Sequence, residues 1–549
     1  MKKWLVALCL FLMLPFVNGQ GIDFTVKSGE ATKFKMSDFS TGIHKLGMIN
    51  GNAFFQFLPY TSGGGLEINM NVKNNFIGKF DLDNNLIKKT EIELKQNKKD
   101  LVFEGALAIK DQLFVFSSFQ NKKEKKHFLF VQHVDPNTVE LVDNIRPVAE
   151  LSYADFSKFD YATFWFQVSP DSSKVLLYYS LKTKKREILR SGFNVYGSDL
   201  KLIWGREDAS ACFSEGIIGF YRIKVDNAGG VYVAGQHYAD KSNYYDAAHF
   251  GSRGFFSKDT YYTDMPNYTF ELCRYTQQSP DPENYPLAIP GKFIRSVNFS
   301  TSDKNILTCY GVYGSPGTIS VVGSFCFDLD LDSKQTSQLV TGEFGKDLLS
   351  RGLDAEELRR FRRSIDNKQE WDPYDYWLSD LATRQNGDRY FIAEQVLSGY
   401  KEVTQWQGGS SYISVQNIYL HNDLFLVSLK SDNQVRRTDK ITKRQYWVGT
   451  SRFNSYALVE KNNNLYFLYN TFDSKDGMFT NVDIGDSYIT RVKENGDQAK
   501  TVFKKKADKD EPFPLMKTAI NVSEGSLMYG LFPFNNRRYQ FERIYINDK

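Results

Sequence analysis

Residues 225–235 read VDNAGGVYVAG. A polar turn, Asp226, Asn227, Gly229 and Gly230, runs into the alternating Val231, Tyr232 and Val233. Such turn residues supply the positive φ that a tight hairpin needs, and the alternation sends successive side chains to opposite faces of a strand. The unit recurs as MINGNAFFQF (48–57), AIKDQLFVFSSF (108–119), VSPDSSKVLLYYS (168–180) and STSDKNILTCYG (300–311). It returns in RQNGDRYFIAEQ (384–395), EKNNNLYFLYN (460–470) and VSEGSLMYGLF (522–532), making eight copies with turns centred near 51, 111, 172, 228, 303, 387, 463 and 525.

A second strand-and-turn unit follows each copy, as in FIGKFDLDNN (76–85), FLFVQHVDPN (128–137), SFCFDLDLDS (324–333) and LFLVSLKSDN (424–433). Each repeat therefore reads strand, turn, strand, link, strand, turn, strand. One four-stranded sheet cannot bury both its faces, whereas a closed ring of such sheets does. The expected fold is all-β: a single β-propeller of seven or eight four-stranded antiparallel blades over residues 20–549, with one short helical insertion. The strand-like IDFTVKSGEATKFKM (22–36) is expected to complete the last blade and close the ring.

The chain opens MKKWLVALCLFLMLPFVNGQG, a signal-peptide pattern. Lys2 and Lys3 precede an apolar run from Trp4 to Phe16, and Val17 and Gly19 fit a cleavage site before Gln20. The expected setting is export, to the periplasm, the cell surface or the medium, with no transmembrane segment in the mature chain. The 69 Lys and Arg nearly balance the 65 Asp and Glu, which argues against a nucleic-acid surface. Cys212, Cys273, Cys309 and Cys326 admit three disulfide pairings, and single buried thiols as well. Their spacing fits no zinc motif, so no metal and no cofactor are expected.

Certain turns carry a resemblance. SPDSSKVL (169–176) resembles the Ser-Pro-Asp-Gly-Lys element of TolB-like and WD40-like propellers, with Ser173 where Gly is usual. DKITKRQ (439–445) and SYALVEKNNNLYFLYN (455–470) are similar to segments of uncharacterised exported proteins of the Bacteroidetes. The resemblance implies a propeller and names no chemistry, because function lives in sites grafted onto folds.

Three repeats are overlong, and the excess is where function is expected. The first excess, 236–267, holds His237, Tyr244, Tyr245, Asp246 and His249, suited to ligand contact or to acid–base work. The second, 345–377, contains the helical LDAEELRRFRRSID, with Asp354 as cap and Glu357 at the capping-box position. Leu358, Phe361 and Ile365 form its apolar stripe, flanked by Arg359, Arg360, Arg362 and Arg363. The third, 398–417, carries Trp406, either a saccharide-stacking tip or part of an extended hairpin. DLDLDS (328–333) lacks the Gly and Glu of a calcium loop and reads as strand into turn.

No catalytic constellation is visible. The expected function is a non-enzymatic module binding an unknown protein or glycan at the cell envelope. The alternatives are a polysaccharide-active hydrolase or lyase with its site in the insertions, and a structural subunit of an envelope complex.

Overall fold

The structure, a computed structural model, describes residues 21–548 except 34–39, 60–74, 97, 122, 143, 153–160, 183–187, 210–211, 214–216, 239–267, 302–304, 317–319, 368–373, 408–409, 449–453, 474–482, 506–512 and 533–537. It is an all-β propeller of eight antiparallel blades. All eight turns read from the sequence prove to be first-to-second-strand turns, one per blade, so no two copies share a blade.

The ring closes through the chain's two ends. Phe24–Ser28 pairs along its whole length with Arg538–Ile546, from Phe24 opposite Ile546 to Ser28 opposite Glu542, and becomes the outer strand of blade eight. Thr32–Lys33 adds a second pairing to the same strand. The closure expected from 22–36 is present in its described strands, Phe24–Ser28 and Thr32–Lys33.

Burial follows the strand period. Eight apolar clusters lie between successive blades, one at each interface. Adjacent residues of a second strand serve opposite interfaces: Phe54 packs toward blade two and Phe55 toward blade eight. This double-sided burial is why the second strands read as apolar runs rather than as alternation. It also separates two thiols. Cys309 faces blade four and Cys326 faces blade six, on opposite sides of the blade-five sheet, and both stay reduced. Cys212 and Cys273 form the disulfide.

The innermost strand of each blade has a free edge toward the central channel, and polar side chains satisfy part of it. Lys45 Nζ donates to the Ala519 carbonyl of blade eight, and Lys224 Nζ to the Phe299 carbonyl of blade five. Ser296 Oγ donates to the Tyr376 carbonyl of blade six.

The helical insertion comprises Lys346–Ser350 and Ala355–Asn367. The expected capping box is closed: Glu357 N donates to Asp354 Oδ1 at 2.8 Å and Asp354 N to Glu357 Oε2 at 3.0 Å. Phe361 is buried, and Arg359, Arg362 and Arg363 are exposed. The left-handed residue of the SPDSSK turn is Ser172, not Ser173. DLDLDS is strand running into turn, with Asp330 Oδ1 accepting from the backbone N–H of Asp332 and Ser333. Among the described residues no helix is long and apolar enough to cross a membrane.

Candidate active site

The two faces of the ring differ. Turns joining first to second and third to fourth strands open on one face, and most are tight, with left-handed residues such as Asn84, Ser172, Asn305, Asn433 and Gly525. Links from second to third strands, and from blade to blade, open on the other face. All three long insertions leave from that second face. Residues 239–267 join the second and third strands of blade four, 344–374 lead from blade five to blade six, and 398–417 extend the central hairpin of blade six.

Beneath this face, blade six holds a buried acid–base cluster. Its second strand, Arg389–Gln407, carries Glu394; its third, Ser410–Leu429, carries His421 and Asp423. A β-bulge brings them together. Glu394 opposes Leu424 and Val396 opposes His421, so the single Gln395 faces both Asn422 and Asp423. His421 and Leu424 are three residues apart and would face opposite sides of a regular strand. The extra residue turns His421 onto the Glu394 side, toward blade seven.

The link after the outer strand supplies the cations. Lys443 Nζ donates to Glu394 Oε1 at 2.7 Å, to the His421 carbonyl at 2.8 Å and to Gln445 Oε1 at 2.9 Å. Ser455, at the entry to blade seven, has φ of 84° and donates from Oγ to Glu394 Oε2 at 2.9 Å. Asp423 accepts from Lys443 N at 3.1 Å, and its Oδ2 lies 2.9 Å from Lys440 Nζ. Lys440 in turn donates to the carbonyls of Leu349 and Arg351, and Arg444 reaches Glu357, so the helical insertion is tied to the same cluster.

The charges sort themselves by contact. Glu394 is fully enclosed, which alone would raise its pKa; Lys443 and His421 outweigh that and hold the carboxyl down at about 2. Burial pushes His421 down, so its imidazole is neutral near pH 7. Its Nδ1 lies 3.3 Å from Glu394 Oε1, and both ring nitrogens of this fully buried imidazole are without a hydrogen-bond partner. Trp377, on the innermost strand Asp375–Leu378 and 51% exposed, stands edge-on to His421 at 5.2 Å. A second exposed indole, Trp165, lies on the innermost strand of blade three. Glu104, on the innermost strand of blade two, is pushed up to about 7 by burial.

Of the residues expected to form a site, His237 lies on the second strand of blade four, opposite Ile218 and Thr269. Tyr244, Tyr245, Asp246 and His249 lie outside the described residues. The backbone of Trp406 sits opposite Ser411 near the tip of an extended hairpin, and its side chain lies outside the described residues. The acid–base cluster was missed because its members are spread over 394–455 and meet through a bulge. The available signal was charge inside doubly buried strands: Glu394 in FIAEQV and Asp423 in HNDLFLV. Among the described residues no group of three or more His, Cys, Asp or Glu side chains is placed to hold a metal ion.

No protein-family model and no curated protein matches the chain. Solved structures do. The β-propeller domain of the Trilobed protease from Pyrococcus furiosus is 11% identical, with 86% of this chain and 98% of that one covered and a TM-score of 0.33. An α-L-arabinanase from Penicillium chrysogenum is 11% identical over 72% and 98% of the two chains, TM-score 0.30. A protein of unknown function from Bacteroides caccae is 11% identical over 67% and 92%, TM-score 0.26. At this distance the likeness shows the propeller fold alone, spread over varied propellers rather than TolB or WD40 relatives in particular.

The expectation of a non-enzymatic binding module, made where no catalytic constellation was read, is corrected. An acid–base constellation exists where none was read. Among the other similar propellers are an acylaminoacyl peptidase (TM-score 0.32), an α-L-arabinofuranosidase (0.30) and a prolyl oligopeptidase (0.27), again a likeness of fold.

Proposed function

We propose that this chain is a polysaccharide-active hydrolase working at the long-looped mouth of the channel, with His421 as general base. The observation that carries the reading is a buried, neutral histidine with both ring nitrogens unpartnered, lying 3.3 Å from an ionised glutamate. The nearby carboxylate would stabilise the imidazolium formed when water gives up its proton. Lys443 keeps Glu394 ionised and in place. Trp377 stands edge-on to His421, which is fully buried, so water reaches the imidazole only when neighbouring side chains move. The exposed faces of Trp377 and Trp165 suit the apolar faces of sugar rings. The signal-like residues 1–19 support an exported setting for such a substrate.

The test is release of reducing ends by the purified protein from arabinan, xylan, pectin and β-glucans. His421→Ala is expected to lower kcat at least 100-fold, in the range general-base removal produces, and Trp377→Ala to raise KM. Turnover that survives in His421→Ala, or no turnover on any of these polymers, overturns the reading.

A further inference from the structure

The tight-turned face carries an unrelated feature. A groove of about 430 Å³ lies where the first turns of blades six and eight meet the innermost strand of blade seven. Its lining includes the buried Arg384, the half-buried Glu460 and the exposed Asn521 and Glu524.

Arg384 is 3% exposed. Its Nη1 donates to the Asn463 carbonyl at 3.1 Å, but Nε and Nη2 are buried with no hydrogen-bond partner. Those two nitrogens form the side-on fork of a guanidinium, which presents two parallel N–H groups to one ligand. The carboxylate of Glu460 accepts the backbone N–H of Gln385, and its Oε1 is likewise buried without a partner. Arg384 and Glu460 sense each other's charge, yet no ion pair joins them. Buried polar groups left open in this way carry a desolvation cost that a bound ligand recovers.

We propose that this groove binds a neutral sugar through two adjacent hydroxyl groups, which accept from the Arg384 fork and donate to Glu460 Oε1. The charge of the lining favours a neutral ligand: Arg384 is its cation, and the carboxylates Glu460 and Glu524 both disfavour an anion. Each sugar hydroxyl both donates and accepts, as a site with one open donor pair and one open acceptor requires. The site lies on the opposite face from His421, and its occupancy is read by binding rather than by turnover, so it stands or falls independently of the hydrolase reading.

The experiment is calorimetric titration of the full chain with xylohexaose, cellohexaose and arabinohexaose, and separately with citrate and inorganic phosphate. At least one neutral oligosaccharide is expected to bind. Arg384→Lys, which keeps the charge and loses the fork, should weaken it at least tenfold. Asn521→Trp, a change at an exposed lining position that fills the groove without disturbing the core, should abolish it. Binding of none of the sugars, binding unchanged in Asn521→Trp, or binding of citrate or phosphate in their place overturns the proposal.

Discussion

At the scale of the residue, the notable group is the ionised glutamate in the middle of a sheet. Glu394 is 4% exposed and tolerated only because Lys443, His421 and Ser455 converge on it. Removing one partner of such a buried pair leaves the other charge uncompensated and costs about 3–5 kcal/mol. Lys443→Met is therefore expected to lower the melting temperature clearly, and Lys443→Met with Glu394→Leu to recover most of the loss. The depressed carboxyl also fixes a pH dependence. Between the unfolded value near 4.5 and the folded value near 2, the unfolded chain binds more protons, so stability rises with pH across that window. Melting followed from pH 5 down to pH 2 should show a steep loss that is shallower in Glu394→Gln; parallel curves for the two proteins would contradict the assignment.

At the scale of the element, the helical insertion shows how far local signals reach. Asp354 and Glu357 satisfy each other's backbone N–H groups as the sequence spacing requires. Where the helix goes is a tertiary matter: Lys440 and Arg444, almost a hundred residues on, hold the preceding turn and Glu357. Asp354→Ala should destabilise the helix by about 1 kcal/mol. Hydrogen exchange over 355–367 is expected to speed up severalfold while global melting barely moves, because the helix lies on the ring rather than in it. An equal loss in both would place the helix inside the cooperative core. The β-bulge at Asn422–Asp423 is the opposite case. Nothing in HNDLFLV announces an extra residue, and yet it decides which face His421 takes.

At the scale of the whole molecule, stability rests on closure. Each blade is covered by its two neighbours, so an open ring would expose two apolar faces and two strand edges. The pairing of Phe24–Ser28 and Thr32–Lys33 with Arg538–Ile546 prevents this, and Ile22 adds to the cluster between blades seven and eight. A truncated protein starting at Met36 is expected to melt about 3–6 °C below one starting at Gln20, or to aggregate, since several kcal/mol of pairing and burial are lost. Shortening the 240–262 segment should leave melting nearly unchanged. Equal melting of the two N-terminal forms in calorimetry would show that the ends do not hold the ring together.

The sequence by itself determined what depends on neighbours along the chain. Hairpin turns need positive φ from Asn, Asp, Gly or Ser, and strands buried on both faces need apolar runs. Those local demands, repeated eight times, specify a ring of blades, and the capping box specifies the helix. Tertiary structure alone decided what depends on distant residues meeting. The blade number followed from finding each turn on its own sheet. The pairing of Cys212 with Cys273, and the separation of Cys309 from Cys326, depended on sheet faces that spacing does not encode. The Glu394–His421–Lys443 cluster needed a bulge and a blade-to-blade link to assemble, and the Arg384 groove needed three blades to come together. Local backbone preferences are written in short stretches of sequence, whereas the electrostatic environment of a buried group belongs to whatever the closed ring brings within a few ångströms of it.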